Sequence, residues 1–81
     1  MAKSRLYRIG DVMRFSGVSR QTLHNYTTYG LICEEERTPA GYRLYGEEVF
    51  RRLRRIAELK GKHTLRAMRD ILDAEFPKGG P

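Results

Sequence analysis

The sequence predicts a mostly α domain of four short helices carrying one small β-hairpin. Three observations support this. In the C-terminal half, Val49, Phe50, Leu53, Ile56 and Leu59, and then Leu65, Met68, Ile71, Leu72 and Phe76, form apolar stripes at helical spacing. Between Leu31 and Tyr45 the pattern changes: LICEEER, TPAG and YRLY read as two strands around a Pro- and Gly-containing turn. Upstream, Ile9 to Leu31 breaks at Gly17-Val18-Ser19, as two helices joined by a tight turn do. A helix-turn-helix followed by such a hairpin is a winged helix-turn-helix, here with a two-stranded wing.

Taken in order, residues 1–6 are a polar, basic lead-in, and Tyr7 to Ile9 form a short extended piece. Helix one is expected from Asp11 to Ser16. Asp11 suits the positive end of the helix dipole, and Val12, Met13 and Phe15 are offered to the core. Gly17 closes it. Helix two covers Arg20 to Tyr29, with Ser19 as N-cap, because a hydroxyl there accepts from an otherwise unpaired amide. Val18 and Leu23 have the spacing of a hydrophobic staple. Asn25 to Tyr29 are weak helix formers, so packing through Leu23 and Tyr26 must hold this helix. Gly30 ends it, since glycine adopts the left-handed conformation without a Cβ clash.

In the second wing strand Tyr42 and Leu44 alternate with Arg43 and Tyr45, which turns Arg43 away from the Tyr42/Leu44 face. Arg43 is expected at the wing tip. Pro39 cannot donate to a ladder and marks the turn. Helix three is expected from Glu47 to Lys60, with Arg51, Arg52, Arg54 and Arg55 on its outer surface. Glu47–Arg51 and Glu48–Arg52 are i,i+4 pairs. Gly61 stops the helix. Thr64 caps helix four, His63 packs toward Met68, and Pro77 prevents continuation. Residues 1–76 therefore form the domain and residues 77–81 a flexible tail.

A chain of 81 residues with a formal charge of +6 is one small domain suited to a polyanionic partner. The single cysteine, Cys33, excludes an internal disulfide framework and a multi-cysteine metal site, and it reads as a strand residue. No apolar run is long enough to span a bilayer, and MAKSRLYR lacks the apolar centre of a signal peptide. These features predict a cytoplasmic protein. No nucleophile–base pattern, phosphate-cradling glycine loop or apolar carboxylate pair is visible, so neither an enzyme nor a cofactor or metal is expected.

The outward positions of helix two, Arg20, Gln21, His24, Asn25 and Thr28, all carry side chains that reach base edges or phosphates. An arginine on a wing pairs with phosphate or enters a minor groove. Beside each contact stands the plainer reading of a solvated surface residue. For Arg51–Arg55 the two readings are level, and Glu34–Glu36 read as solvated. Tyr26 and Tyr42 are expected to pack their rings and extend their hydroxyls.

Across residues 7–73 the chain resembles the DNA-binding domain of the MerR family of bacterial transcription regulators. The residues that carry the resemblance are Tyr7-Arg8-Ile9-Gly10, Gly17-Val18-Ser19, Thr22-Leu23, Tyr26, Gly30-Leu31 and above all Gly41-Tyr42-Arg43-Leu44-Tyr45. The resemblance implies sequence-specific binding of double-stranded DNA, with helix two in the major groove and the wing, about residues 34–45, on the flanking backbone or minor groove. By that resemblance Ser19, Arg20, Gln21, Thr22, His24, Asn25 and Tyr26 face the DNA from the helix, and Arg37, Tyr42 and Arg43 from the wing. It also implies a nucleoid-associated protein, a homodimer or cooperative assembly on DNA, and a contact to RNA polymerase. Where the family usually has T-L-R-Y-Y-E, this chain has Thr22-Leu23-His24-Asn25-Tyr26-Thr27. A permanent charge and a backbone contact are lost there, so its target should differ from the family norm. The sequence given stops after helix four, as expected of either an excised domain or a short form without the C-terminal coiled coil and effector domain. An architectural DNA-binder (excisionase-like, or a DNA-packaging or chromosome-anchoring head) and a protein-interaction module are the alternatives.

Overall fold

The computed structural model describes residues 5–77. Its elements are β1 (Tyr7–Arg8), α1 (Ile9–Ser16), α2 (Arg20–Thr28), β2 (Glu36–Arg37), β3 (Arg43–Tyr45), α3 (Glu48–Leu59) and α4 (Leu65–Glu75). The lead-in before Arg5 and the tail after Pro77 lie outside the described residues. The four-helix winged architecture is present, with a sheet larger than expected.

That sheet has three antiparallel strands in the order β1-β3-β2: the expected two-stranded wing, β2 with β3, is joined by the N-terminal β1 on the other edge of β3. Tyr7 pairs with Tyr45 and Arg8 with Leu44 on one edge of β3, while Arg37 pairs with Arg43 and Glu36 with Leu44 on the other. A long-range reason favours the extra pairing. Tyr7 and Tyr45 are both buried in the core, and the Tyr7 hydroxyl donates to the Glu47 carboxylate just before α3. Glu47 is thereby used by Tyr7; the expected Glu47–Arg51 pair does not form among the described residues.

The first wing strand is also shorter than LICEEER suggested. Leu31 and Ile32 turn inward and are almost wholly buried, so they serve the core. Cys33 is an exposed loop residue outside any strand, and only Glu36 and Arg37 join the ladder.

The helix stops follow the local chemistry. Ser19 Oγ accepts from the Thr22 amide at 3.2 Å, and Thr64 Oγ1 from the Ala67 amide at 3.1 Å. After α2, Gly30 adopts φ 79°; its amide donates to the Thr27 carbonyl at 3.1 Å and the Leu31 amide to the Tyr26 carbonyl at 2.8 Å. Those two bonds are a Schellman closure, and they deliver Leu31 directly into the core. Helix one begins at Ile9, two residues before the expected start, because Arg8 is extended and its amide donates to Asp11 Oδ2 at 3.3 Å.

Val12, Leu23, Leu31, Ile32, Tyr45, Val49, Ile56 and Leu72 make the innermost layer, drawn from α1 to α4 and from the strand and loop between. Leu23 is fully buried, which anchors α2 by roughly 1.5–3 kcal/mol and offsets its weak helix formers. Thr27 ties the same helix to the sheet through a 3.1 Å hydrogen bond with the Tyr45 hydroxyl. Two apolar expectations are corrected. Phe15 is 58 % exposed, with only its edge against Tyr7 and Phe50, and Leu65 is 41 % exposed at the start of α4. Phe15 lies off the side of α1 that carries Val12 and Ser16, whereas Leu65 shares the phase of Met68 and Leu72 but stands in the first turn of α4, at the end of the buried stripe. His63 is likewise exposed, in the turn before the Thr64 cap.

The largest correction concerns Arg52. Expected on the surface of α3, it is 2 % exposed. Its Nε donates to Glu48 Oε2 at 2.9 Å, and its two η nitrogens donate to the carbonyls of Leu31 and Phe76, both at 3.0 Å. Its guanidinium also lies over the Phe76 ring, 5.5 Å from the centroid. The expected Glu48–Arg52 pair therefore exists, inside a larger structural hub. Arg55 is also committed: it meets both oxygens of Glu75 and one of Glu58.

Candidate nucleic-acid interface

Ser19 fixes the entry of α2, Gly30 fixes its exit, and Thr27 with Tyr45 sets its angle to β3. These three constraints leave a concave surface bounded by the start of α1, the exposed face of α2 and the wing. Arg8, Asp11, Arg14, Arg20, Gln21, His24, Tyr42 and Arg43 line it. Four arginines from four elements thus line one groove, with Asp11 the single carboxylate among its lining residues. Such a surface attracts an extended polyanion.

Of the residues singled out from sequence, Arg20, Gln21, His24, Tyr42 and Arg43 meet at this groove. Gln21 Nε2 donates to Asn25 Oδ1 at 3.1 Å, which couples two exposed amides one helical turn apart. Ser19 and Thr22 are joined to each other through their hydroxyls at 2.9 Å and are occupied with capping. Tyr26 is half-buried against the core. Arg37 lies outside the groove lining, exposed on β2.

Two details of the wing differ from the sequence reading. The ring of Tyr42 is 69 % exposed and free of the core, because the turn from Thr38 to Tyr42 projects away from the sheet. That turn is closed by Thr38 donating to the Tyr42 carbonyl at 2.8 Å, with Gly41 at φ 93°. Tyr42 therefore occupies the tip, whereas Arg43 stands one step down in β3, half-buried opposite Arg37.

The acidic run is also not uniformly solvated. The Glu34 side chain is only 18 % exposed, and its carboxylate lies 3.0 Å from Arg37 Nε and 3.5 Å from Arg43 Nε. Partial burial works to raise its pKa, but its backbone amide and the two guanidiniums outweigh that, and the carboxyl lies below its usual range. Glu36 is exposed, and the Glu35 side chain lies over Gly46, where an added Cβ would collide with it.

Arg8 and Arg14 were not anticipated at this surface. The available signal was helical phase: Gly10, Asp11 and Arg14 share the side of α1 opposite the buried Val12. Among the described residues no group of histidines, cysteines or carboxylates is arranged to hold a metal ion, and no helix is long and apolar enough to cross a membrane.

Comparison with known proteins fits this geometry. Residues 8–45, from the end of β1 through β3, match the model of the MerR family regulatory protein. The nodulation protein NolA of Bradyrhizobium elkanii is 38 % identical over 69 residues, which is 85 % of this chain and 27 % of that protein. The mercuric resistance operon regulatory protein of Bacillus cereus is 39 % identical over 54 residues, 67 % of this chain and 41 % of that protein. The HTH-type transcriptional regulator CueR of Bacillus subtilis is 33 % identical over 72 residues, 88 % of this chain and 50 % of that protein. The alignments thus span half or less of these relatives' length. No solved structure matches the chain significantly. Through its helix-turn-helix and wing, this chain belongs to the MerR family.

Proposed function

We propose that this chain reads double-stranded DNA as the winged head of a MerR-type transcription regulator. The observation that carries this reading is the convergence of Arg8, Arg14, Arg20 and Arg43 on one groove beside the exposed face of α2. In this reading α2 enters the major groove. Arg20 and His24 approach phosphates or base edges, and the coupled amides of Gln21 and Asn25 meet an adenine edge. Ser19 and Thr22 act through the helix N-terminus that they cap, where free amides favour a phosphate. Tyr26 supports the helix from its half-buried position and extends its hydroxyl toward the backbone. The tip residue Tyr42 and the arginines Arg43 and Arg37 grip the flanking phosphates or minor groove.

A fluorescence-anisotropy titration tests this. The duplexes are the gene's own upstream region and a scrambled version, each at several salt concentrations. A preference for the native duplex that persists as salt rises is the expected result. Equal affinities that collapse together with salt would leave only charge-driven binding and overturn sequence reading.

A further inference from the structure

Arg37 and Arg43 are direct partners in the β2–β3 ladder, so their side chains share one face of the wing. Like charges directly opposite each other repel. Glu34 sits against both: Oε2 accepts from Arg37 Nε at 3.0 Å, and Oε1 lies 3.5 Å from Arg43 Nε. The Arg43 Nε is buried and has no hydrogen-bond partner, so Glu34 supplies its counter-charge without a formed bond. In both arginines it is the Nε edge that meets the carboxylate. The η nitrogens of both make no hydrogen bond among the described residues. Glu36, two residues on, is exposed and makes no ion pair among the described residues. One carboxylate of the three is thus built into the wing.

We propose that Glu34 is a positioning residue for DNA binding: it holds the opposed guanidiniums of Arg37 and Arg43 so that their η nitrogens stay available to phosphate oxygens. This rests on the DNA-reading function proposed above. The consequence is opposite to simple electrostatics. A carboxylate near a phosphate-binding surface should weaken binding, yet here it removes the repulsion between two arginines and the cost of ordering them. An ordered fork donates two aligned bonds to a phosphate, whereas a free side chain must first be immobilised.

The experiment uses the full chain and a duplex that the wild-type protein has enriched from a random pool. Glu34→Gln, Glu34→Asp and Glu36→Gln are titrated against it over a range of salt. Glu34→Gln is expected to bind about three- to tenfold more weakly despite its gain in positive charge. Its salt dependence should be flatter by about one phosphate contact. Glu34→Asp keeps the charge but is too short to meet both arginines, and it should weaken binding as well. Glu36→Gln removes an equal charge from the neighbouring surface and should bind as well as wild type or slightly better. A melting curve for each variant separates these effects from unfolding. If Glu34→Gln binds more tightly, with a steeper salt dependence like Glu36→Gln, Glu34 is only a repelling charge and the proposal is overturned. If the wild-type protein enriches no duplex, DNA reading itself fails, and the role of Glu34 falls with it.

Discussion

The arginines of α3 and those around the α2–wing groove carry the same charge and are used differently. On α3, Arg52 is buried and spends all three of its nitrogen positions on Glu48 and on the carbonyls of Leu31 and Phe76. Arg55 is clasped by Glu75 and Glu58. Around the groove, Arg8, Arg14 and Arg20 are exposed and make no ion pair among the described residues, and Arg43 is held only at its Nε edge. A basic composition thus divides into charge that builds the fold and charge left to meet a partner. Net charge alone cannot tell the two apart; the bonding state of each guanidinium and its place at the groove together do, since Arg51 and Arg54 on α3 are exposed and make no ion pair among the described residues yet lie outside the groove lining.

The largest effect that would sharpen this division is on stability. Arg52→Met keeps the length of the side chain while removing its donors. It leaves the Leu31 and Phe76 carbonyls without their partner at the junction of α2, α3 and α4. Unpaired buried acceptors cost about 1–3 kcal/mol each, so a loss of about 3 kcal/mol in urea unfolding is expected. DNA affinity of the folded protein should be unchanged. A variant of wild-type stability would show that this hub is replaceable by apolar packing, and the contrast with the groove would lose half its content.

The next effect lies on the other side. Arg43→Ala should weaken binding to a preferred duplex by about 1–3 kcal/mol, as expected for a lost charge-assisted phosphate or base contact. Its half-exposed pairing with Glu34 limits the stability cost to about 1 kcal/mol or less. Arg54→Ala, an exposed change on α3 remote from the groove lining, is the matched control and should move neither quantity much. Equal losses from Arg43→Ala and Arg54→Ala would mean that the groove holds no privileged charge.

The legible parts of this molecule were those settled by neighbours in the chain. Ser19, Thr64 and Gly30 act on amides and carbonyls within a turn of themselves, so residue type and spacing announce them. The third strand was harder, because Tyr7 and Tyr45 pair across most of the domain and β1 is only two residues long. Arg52 was misread for a different reason. It falls on the same helical stripe as Val49, Ile56 and Leu59, which places it inward, but an arginine there is plausible only once its acceptors are known. Those acceptors are 21 and 24 residues away. At the groove, the α2 face and Arg14 on α1 were readable from helical phase, while Arg8 depended on the pairing of β1 with β3. The distinction between Glu34 and Glu36 required the strand register.

The smallest effect concerns the clasp between α3 and α4, and pH reaches it without a change of side-chain size. Arg55 donates to both Glu75 oxygens at 2.9–3.2 Å, and these hydrogen bonds, with the opposite charge, hold the Glu75 carboxyl below its ordinary 4.5. The same contacts hold the Arg55 guanidinium above its ordinary range, so it stays charged throughout. Glu75 binds a proton more readily when unfolded than when folded. Its contribution to stability is therefore complete above pH 4.5 and is lost as pH falls through the lower folded value. Both side chains are more than a third exposed, so solvent and salt screen the pair and its contribution is small. Urea midpoints of wild type and Glu75→Gln should differ at neutral pH and converge on acidification, with the gap narrowing further in high salt. The Glu34 carboxyl is also held below its usual range but is present in both proteins, so it cancels in the difference. Curves that stay parallel down to about pH 3 would mean that Arg55 gains nothing from Glu75. Arg55 would then belong with the uncommitted charges of the groove, and Arg52 alone would stand for the structural class.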